Sequence, residues 1–208
     1  MTRILRDYPS VALLPQELDG RIDFVQLFGR DSPVHIEIGC GKATFLLNEA
    51  RACPEINFLG IERAGKYYRY AVDRIGRWKL NNVRIIRIDA DFLLAEFVPE
   101  NSVDCFHIYF PDPWPKVRQN KRRFFSPNNI KQLIRCLKSG GIIKTATDHN
   151  EYFRLIQALF DEQTDKLGKI DFLPTRSASE SEWVGTNFER KYAKEKRTVF
   201  CLAVRKKP

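Results

Sequence analysis

The chain has 208 residues, 43% of them apolar, which is material for one domain with a substantial core. No run approaches the roughly 20 apolar residues of a membrane-spanning helix, and MTRILRDYPS lacks the apolar stretch of a secretory signal, so a cytoplasmic protein is expected. The formal charge of +9 and a pI near 9.4 point to a polyanionic partner, because phosphates are attracted to such a surface at long range.

Residues 1–33 read as an N-terminal extension, in which PQELDGRIDFVQLFG (15–29) has the spacing of an amphipathic helix. Residues 34–208 read as a single domain. VHIEIG (34–39) is a short strand, and KATFLLNEARA (42–52) a helix that stops before Pro54. NFLGIE (57–62) is a strand, KYYRYAVDRIGRWKL (66–80) a helix in spite of Gly76, VRIIRI (83–88) a strand and DFLLAEF (91–97) a short helix. VDCFHIYF (103–110) is the longest β-like run. SPNNIKQLIRCLK (126–138) opens with Ser126 as N-cap and Pro127 at the first helical position, and Gly140-Gly141 is expected to end it. GIIKTAT (141–147) is a strand, a helix follows near 149–163, and TVFCLAVRK (198–206) is β-rich. This alternation predicts an α/β fold, a mostly parallel sheet with helices on both faces. Such sheets bind ligands at the carboxyl ends of their strands, where the strand order reverses.

Cys40, Cys53, Cys105, Cys136 and Cys201 are scattered and form no C-x-x-C pair, so neither a disulfide framework nor a zinc site is expected. His35, His107 and His149 show no ligand spacing either, and no metal is expected.

The first strand runs into Glu37-Ile38-Gly39-Cys40-Gly41-Lys42-Ala43-Thr44. Glycines here let the backbone approach a ligand. The dinucleotide fingerprint G-x-G-x-x-G fails at Thr44. An acid followed by G-x-G-x-G, the pattern of S-adenosylmethionine sites, fits Glu37, Gly39 and Gly41 and departs only at Ala43. Glu62 ends the second strand, where a carboxylate can accept from both ribose hydroxyls, and Asp89 follows the third, where it could accept from an adenine amino group. A lone acid at a strand end can also cap the next helix. Three in succession favour a nucleoside-type ligand.

After the fourth strand comes Tyr109-Phe110-Pro111-Asp112-Pro113-Trp114-Pro115-Lys116. Three prolines stiffen it and hold Asp112, and Trp114 offers a face on which a base could stack. Five of the eight residues from Lys116 to Arg123 are basic. A charge run is usually a solvated face, but this one abuts the proposed site and suits phosphate contacts.

The combination EIGCGKATF, FLGIE, DAD, FPDPWPK, RQNKRR, TATDH and TNFERK, spanning about residues 34–200, resembles the bacterial tRNA (guanine-N7-)-methyltransferases. The resemblance implies a Rossmann-like class I methyltransferase fold with a seven-stranded sheet, S-adenosyl-L-methionine as cofactor and tRNA as substrate. It implies that Glu37, Gly39, Gly41, Glu62, Asp89 and Asp112 contact the cofactor and that Asp112 is the active-site acid. Lys116, Asp148, Thr186, Asn187, Phe188 and Glu189 match substrate contacts, and Arg118, Gln119, Asn120, Lys121, Arg122 and Arg123 match an RNA-contacting segment. Ala43 departs from the family's third glycine, Tyr192 from a glycine after T-x-F-E, and residues 1–33 match poorly. Two other readings stay open: a methyltransferase acting on a protein or small molecule, and a non-catalytic RNA-binding protein on the same fold. The oligomeric state, monomer or homodimer, is not readable from the chain.

Overall fold

The computed structural model describes residues 4–208. The first three residues of the expected N-terminal extension lie outside that range. The chain divides into two compact units, Met1–Pro99 and Glu100–Pro208.

The first unit contains β1 (Ala12–Leu13), α1 (Phe24–Phe28), β2 (Val34–Ile38), α2 (Thr44–Ala52), β3 (Asn57–Ile61), α3 (Gly65–Arg77), β4 (Val83–Ile86) and α4 (Ala90–Glu96). Its strands pair in the order β1-β4-β3-β2, all parallel. Ile38, Ile61 and Ile86 align across β2, β3 and β4, so the chain leaves all three strands at one edge. β3 is buried along its whole length, which accounts for its unbroken apolar run. A side chain at Gly60 would press into Leu46 and Ile85, because an added Cβ would lie 2.5 and 2.8 Å from their Cδ1 atoms.

The single helix expected over 15–29 does not form. A 3-10 turn at Pro15–Glu17 and the five-residue α1 replace it. Between them Gly20 is left-handed (φ 85°), the Ile22 N–H donates to Phe97 O at 2.8 Å and the Arg21 guanidinium donates to Ala95 O at 2.7 Å. These longer-range bonds take the backbone out of helical register. Gly76 is tolerated inside α3 because the Tyr8 ring lies against it, 2.0 Å from where a Cβ would stand. Asp73, one turn earlier, accepts from the Arg6 N–H at 3.0 Å.

The second unit contains β5 (Val103–Tyr109), α5 (Pro127–Cys136), β6 (Leu137–Thr147), α6 (Asn150–Asp161), β7 (Leu167–Ile170), α7 (Asn187–Lys194) and β8 (Phe200–Lys206). β5 and β6 are parallel, and β8 runs antiparallel between β6 and β7. Ser126 caps α5 as expected, accepting from the Asn129 N–H at 3.2 Å. The helix does not run to the glycine pair. It ends at Cys136, and Gly140 (φ 77°) and Gly141 lie inside β6, where the register against β5 shifts between Val103 and Cys105. The glycines accommodate an irregularity in a strand.

Each unit thus carries four strands, eight among the described residues against the seven expected. The two strands that the sequence pattern did not indicate are the shortest kind: β1, two residues long, and the edge strand β7, with one buried side chain. No helix of the described residues is long and apolar enough to cross a membrane.

Candidate active site

At the carboxyl edge of the first unit the chain leaving β2 makes a turn in which Gly39 (φ 76°), Gly41 (φ 54°) and Ala43 (φ 53°) are all left-handed. Gly39 and Gly41 have nothing within 4 Å of where a Cβ would stand, so the turn presents bare backbone to open space. Ala43 takes the conformation a glycine would adopt at lower cost, immediately before α2. Its departure from the glycine pattern therefore leaves the turn intact.

The Glu62 carboxylate fastens this turn. One oxygen accepts from the Gly41 N–H at 2.9 Å and the other from the Ala64 N–H, at the start of α3, at 2.7 Å. Each carboxylate oxygen keeps a lone pair for a further donor, such as a ribose hydroxyl. Asp89 realises the simpler role considered for it: one oxygen caps α4 through the Asp91 N–H at 3.1 Å, and the other pairs with the exposed Arg63 at 3.4 Å. A cavity of about 520 Å³ beside it is walled by Arg63, Tyr68, Arg87 and, from the extension, Leu14 and Gln16.

Glu37 is the unusual group. It is 4% exposed, and its Oε2 has no hydrogen-bond partner. Burial, and then the neighbouring Glu62, push its carboxyl up to about 8. A buried acceptor without a donor, beside a glycine turn with free space, is what a cationic nucleoside ligand would complete. The residues present fit S-adenosyl-L-methionine: Glu37, Gly39, Gly41, Glu62 and Asp89 are the groups that would hold it.

In the second unit Asp112 follows β5 and Asp148 follows β6, and the parallel pairing of Tyr109 with Ala146 puts both at the same edge. Asp112 is exposed, and Phe110 (φ 50°) and Trp114 (φ 41°) on either side of it are left-handed. Non-glycine residues in that region carry strain that the surroundings must hold. Here Arg123 holds it. This guanidinium is buried, 6% exposed, and donates to Pro113 O at 2.7 Å and Trp114 O at 3.4 Å, with Glu151 at 3.6 Å. Its face lies 5.0 Å from the Tyr152 ring. Arg123, expected among the RNA-contacting residues, is turned inward and serves the Asp112 loop instead. Arg118, Asn120, Lys121 and Arg122 are exposed on a 3-10 turn, Val117–Arg122, with Gln119 half-buried and Lys116 exposed just before it. Arg122 lies over the Trp114 ring at 5.0 Å.

Thr186 caps α7, its hydroxyl accepting from the Glu189 N–H at 3.1 Å. Glu189 is buried and accepts from the N–H groups of Trp183, Val184 and Gly185 at 2.6, 3.0 and 2.8 Å. Its carboxylate folds the segment before α7, a scaffolding role in this state. Asn187 opens the helix, and Phe188 stands 53% exposed. The Phe188, Phe110 and Tyr192 rings form a cluster with centroids 5.5–6.2 Å apart. Asp148 is ion-paired with Arg197, whose guanidinium also covers Tyr192 at 4.3 Å. Tyr192 sits mid-helix, and the left-handed residue that ends α7 is Lys196 (φ 55°). Phe110, Tyr192 and Arg197 were not singled out as site residues. The repeated aromatics around the two motifs are a sequence signal for Phe110 and Tyr192, and Arg197 has none.

Of the eight basic residues from Arg190 to Lys207, most have partners within the chain. Arg190 meets Glu182 at 2.6 Å, Lys206 donates to Leu137 O at 2.7 Å and Lys207 to Thr164 O at 2.6 Å.

A family model described as a putative methyltransferase matches residues 31–202. A tRNA (guanine-N(7)-)-methyltransferase of Rhodopirellula baltica is 35% identical over 97% of this chain and 76% of its own length. One of Idiomarina loihiensis is 36% identical over 82% of this chain and 70% of its own. Among solved structures, the 16S rRNA methyltransferase KamB superposes with a TM-score of 0.64 at 15% identity, covering 89% of this chain and 93% of that one, which shows a shared fold. With that fold, a family match over most of its length and the glycine turn in place, the chain belongs to the tRNA (guanine-N7-)-methyltransferase family.

Proposed function

We propose that the chain transfers a methyl group from S-adenosyl-L-methionine to N7 of a guanosine in the variable loop of tRNA. The first unit holds the cofactor through the Gly39–Gly41 turn, Glu37, Glu62 and Asp89. The second receives the target nucleoside around Asp112, Asp148 and Phe188, with Lys116, Arg118, Lys121 and Arg122 against the phosphates.

Guanine N7 carries a lone pair and no proton, so no general base is needed to make a nucleophile. The bound cofactor supplies the electrophilic methyl. The protein's part is alignment and charge. The base gains positive charge as the bond forms, and Asp112 is the carboxylate that stabilises it. A carboxylate can also accept from guanine N1–H and its amino group, which adenine cannot match. The base must leave its neighbours to reach such a site. Phe188 is the exposed aromatic face at the second unit's edge and suits stacking on it.

The observation that carries this reading is Asp112 fixed at the carboxyl end of β5 between two left-handed residues, next to an exposed basic turn. Labelled S-adenosyl-L-methionine and bulk tRNA, followed by digestion to nucleosides, test it. Label in 7-methylguanosine is expected; label in protein, or in another nucleoside, would replace the reading.

A further inference from the structure

A second basic surface lies in the first unit, away from its carboxyl edge. It is a cleft of about 500 Å³ between the C-terminal end of α3 and the start of β4. Arg6, Arg77, Lys79 and Arg84 line it, and no carboxylate is among its lining residues. Tyr8 lines it, with its ring packed on Gly76. The acids of the cofactor turn stand at the other end of α3, whose 13 residues span about 20 Å at 1.5 Å per residue.

Two of the cations are held in place. Arg77 Nε donates to both oxygens of the buried Asp73 at 2.9 and 3.0 Å. Arg84 donates to Asn81 O at 2.9 Å and Val83 O at 3.0 Å and lies 5.2 Å over the Phe28 ring. Asp73 balances one of the four charges, so the cleft keeps an excess of cations. Lys79 is exposed at the rim, and next to it Trp78 is 51% exposed with the Arg51 guanidinium stacked at 4.1 Å. A concave surface of one sign focuses the field on an approaching anion. Clustered cations beside an exposed indole suit nucleic acid, because phosphates meet the charges.

We infer that this cleft is a second tRNA-binding surface, holding backbone phosphates at a distance from the Gly39–Gly41 turn. The inference rests on tRNA being the substrate. It gives the N-terminal extension a role, since Arg6 and Tyr8 build one wall of the cleft.

The test measures affinity for full-length tRNA across a salt series, for the wild type, Lys79→Glu and Lys79→Gly. Lys79 is itself left-handed (φ 54°), so glycine removes the charge without backbone strain and decides the matter if the glutamate variant misfolds. The expected result is a loss of about tenfold for Lys79→Glu and about threefold for Lys79→Gly, with the log–log salt slope of the latter shallower by about one. Calorimetric binding of S-adenosyl-L-methionine should stay unchanged. Affinity and slope equal to the wild type's would overturn the second surface alone. A wild type that binds S-adenosyl-L-methionine but no tRNA would overturn the substrate assignment with it.

Discussion

Glu62 accepts the backbone N–H of Gly41 at 2.9 Å, and through that bond the end of β3 fixes the turn that follows β2. Its other oxygen fixes Ala64 and so the start of α3. Charge-assisted bonds of this kind contribute about 1.5–3 kcal/mol each. Glu62→Ala should therefore weaken S-adenosyl-L-methionine binding by about 100-fold. Glu62→Gln should do nearly as badly, because its amide would set a donor against a backbone donor. Calorimetric titration checks both, and retained affinity in either variant would separate the turn from the cofactor.

Glu37 predicts a trade between stability and binding. Its carboxyl is pushed up to about 8 in the folded chain, above an unfolded value near 4.5. The folded state then binds the extra proton between those values, so this group lowers stability as pH rises from about 4.5 to 8. The shift sets a ceiling of roughly 5 kcal/mol at 1.36 kcal/mol per unit. Relaxation around a buried charge makes about 2 kcal/mol the expected gain for Glu37→Gln at pH 8, with little gain at pH 4. The same variant should bind S-adenosyl-L-methionine more weakly, because glutamine cannot ionise beside a cationic ligand. Denaturant unfolding at the two pH values and calorimetry check the pair of effects. Equal stabilisation at both pH values would contradict the buried ionisation.

Arg122 and Arg123 adjoin in sequence and should behave oppositely. Arg123→Ala removes the donors that hold Pro113 and Trp114, so a loss of about 2–3 kcal/mol of stability is expected along with loss of methyl transfer. Arg122→Glu should leave the unfolding midpoint nearly unchanged, weaken tRNA binding and make its salt dependence shallower. Thermal unfolding and a salt-series binding titration distinguish them.

Lys196 marks the end of α7. The Arg197 N–H donates to Tyr192 O at 2.9 Å and the Lys196 N–H to Ala193 O at 3.1 Å, the bond pair of a Schellman turn with lysine in the left-handed place. Lys196→Gly should stabilise the chain by about 1 kcal/mol, measured by denaturant unfolding, because it removes a Cβ from an unfavourable backbone conformation. A destabilised variant would show that the lysine side chain contributes more than its strain costs.

The alternation of strands and helices was legible because the buried strands are unbroken apolar runs and the helices repeat every three to four residues. The acids of the carboxyl edge were legible because each strand end was. What failed had local causes. Gly140-Gly141 carries a helix-ending signal, yet the extended Leu137 ends α5 first and the glycines serve the irregular pairing of β6. β7 places one buried side chain among four residues, too little for a period. Nothing in a run of basic residues tells which arginine turns inward, since that is decided by carbonyls at Pro113 and Trp114 and by the Tyr152 ring. Glu189 matched a substrate contact by position, and only the folded chain shows it spent on three backbone N–H groups.

The role given to Asp112 is open to a direct measurement: the yield of 7-methylguanosine in the same tRNA after reaction with the wild type and with Asp112→Ala, by nucleoside analysis. The wild type should form the modified base, and the variant should form almost none while unfolding at an unchanged temperature and still binding tRNA. Comparable yields from the two proteins would contradict the assignment of Asp112.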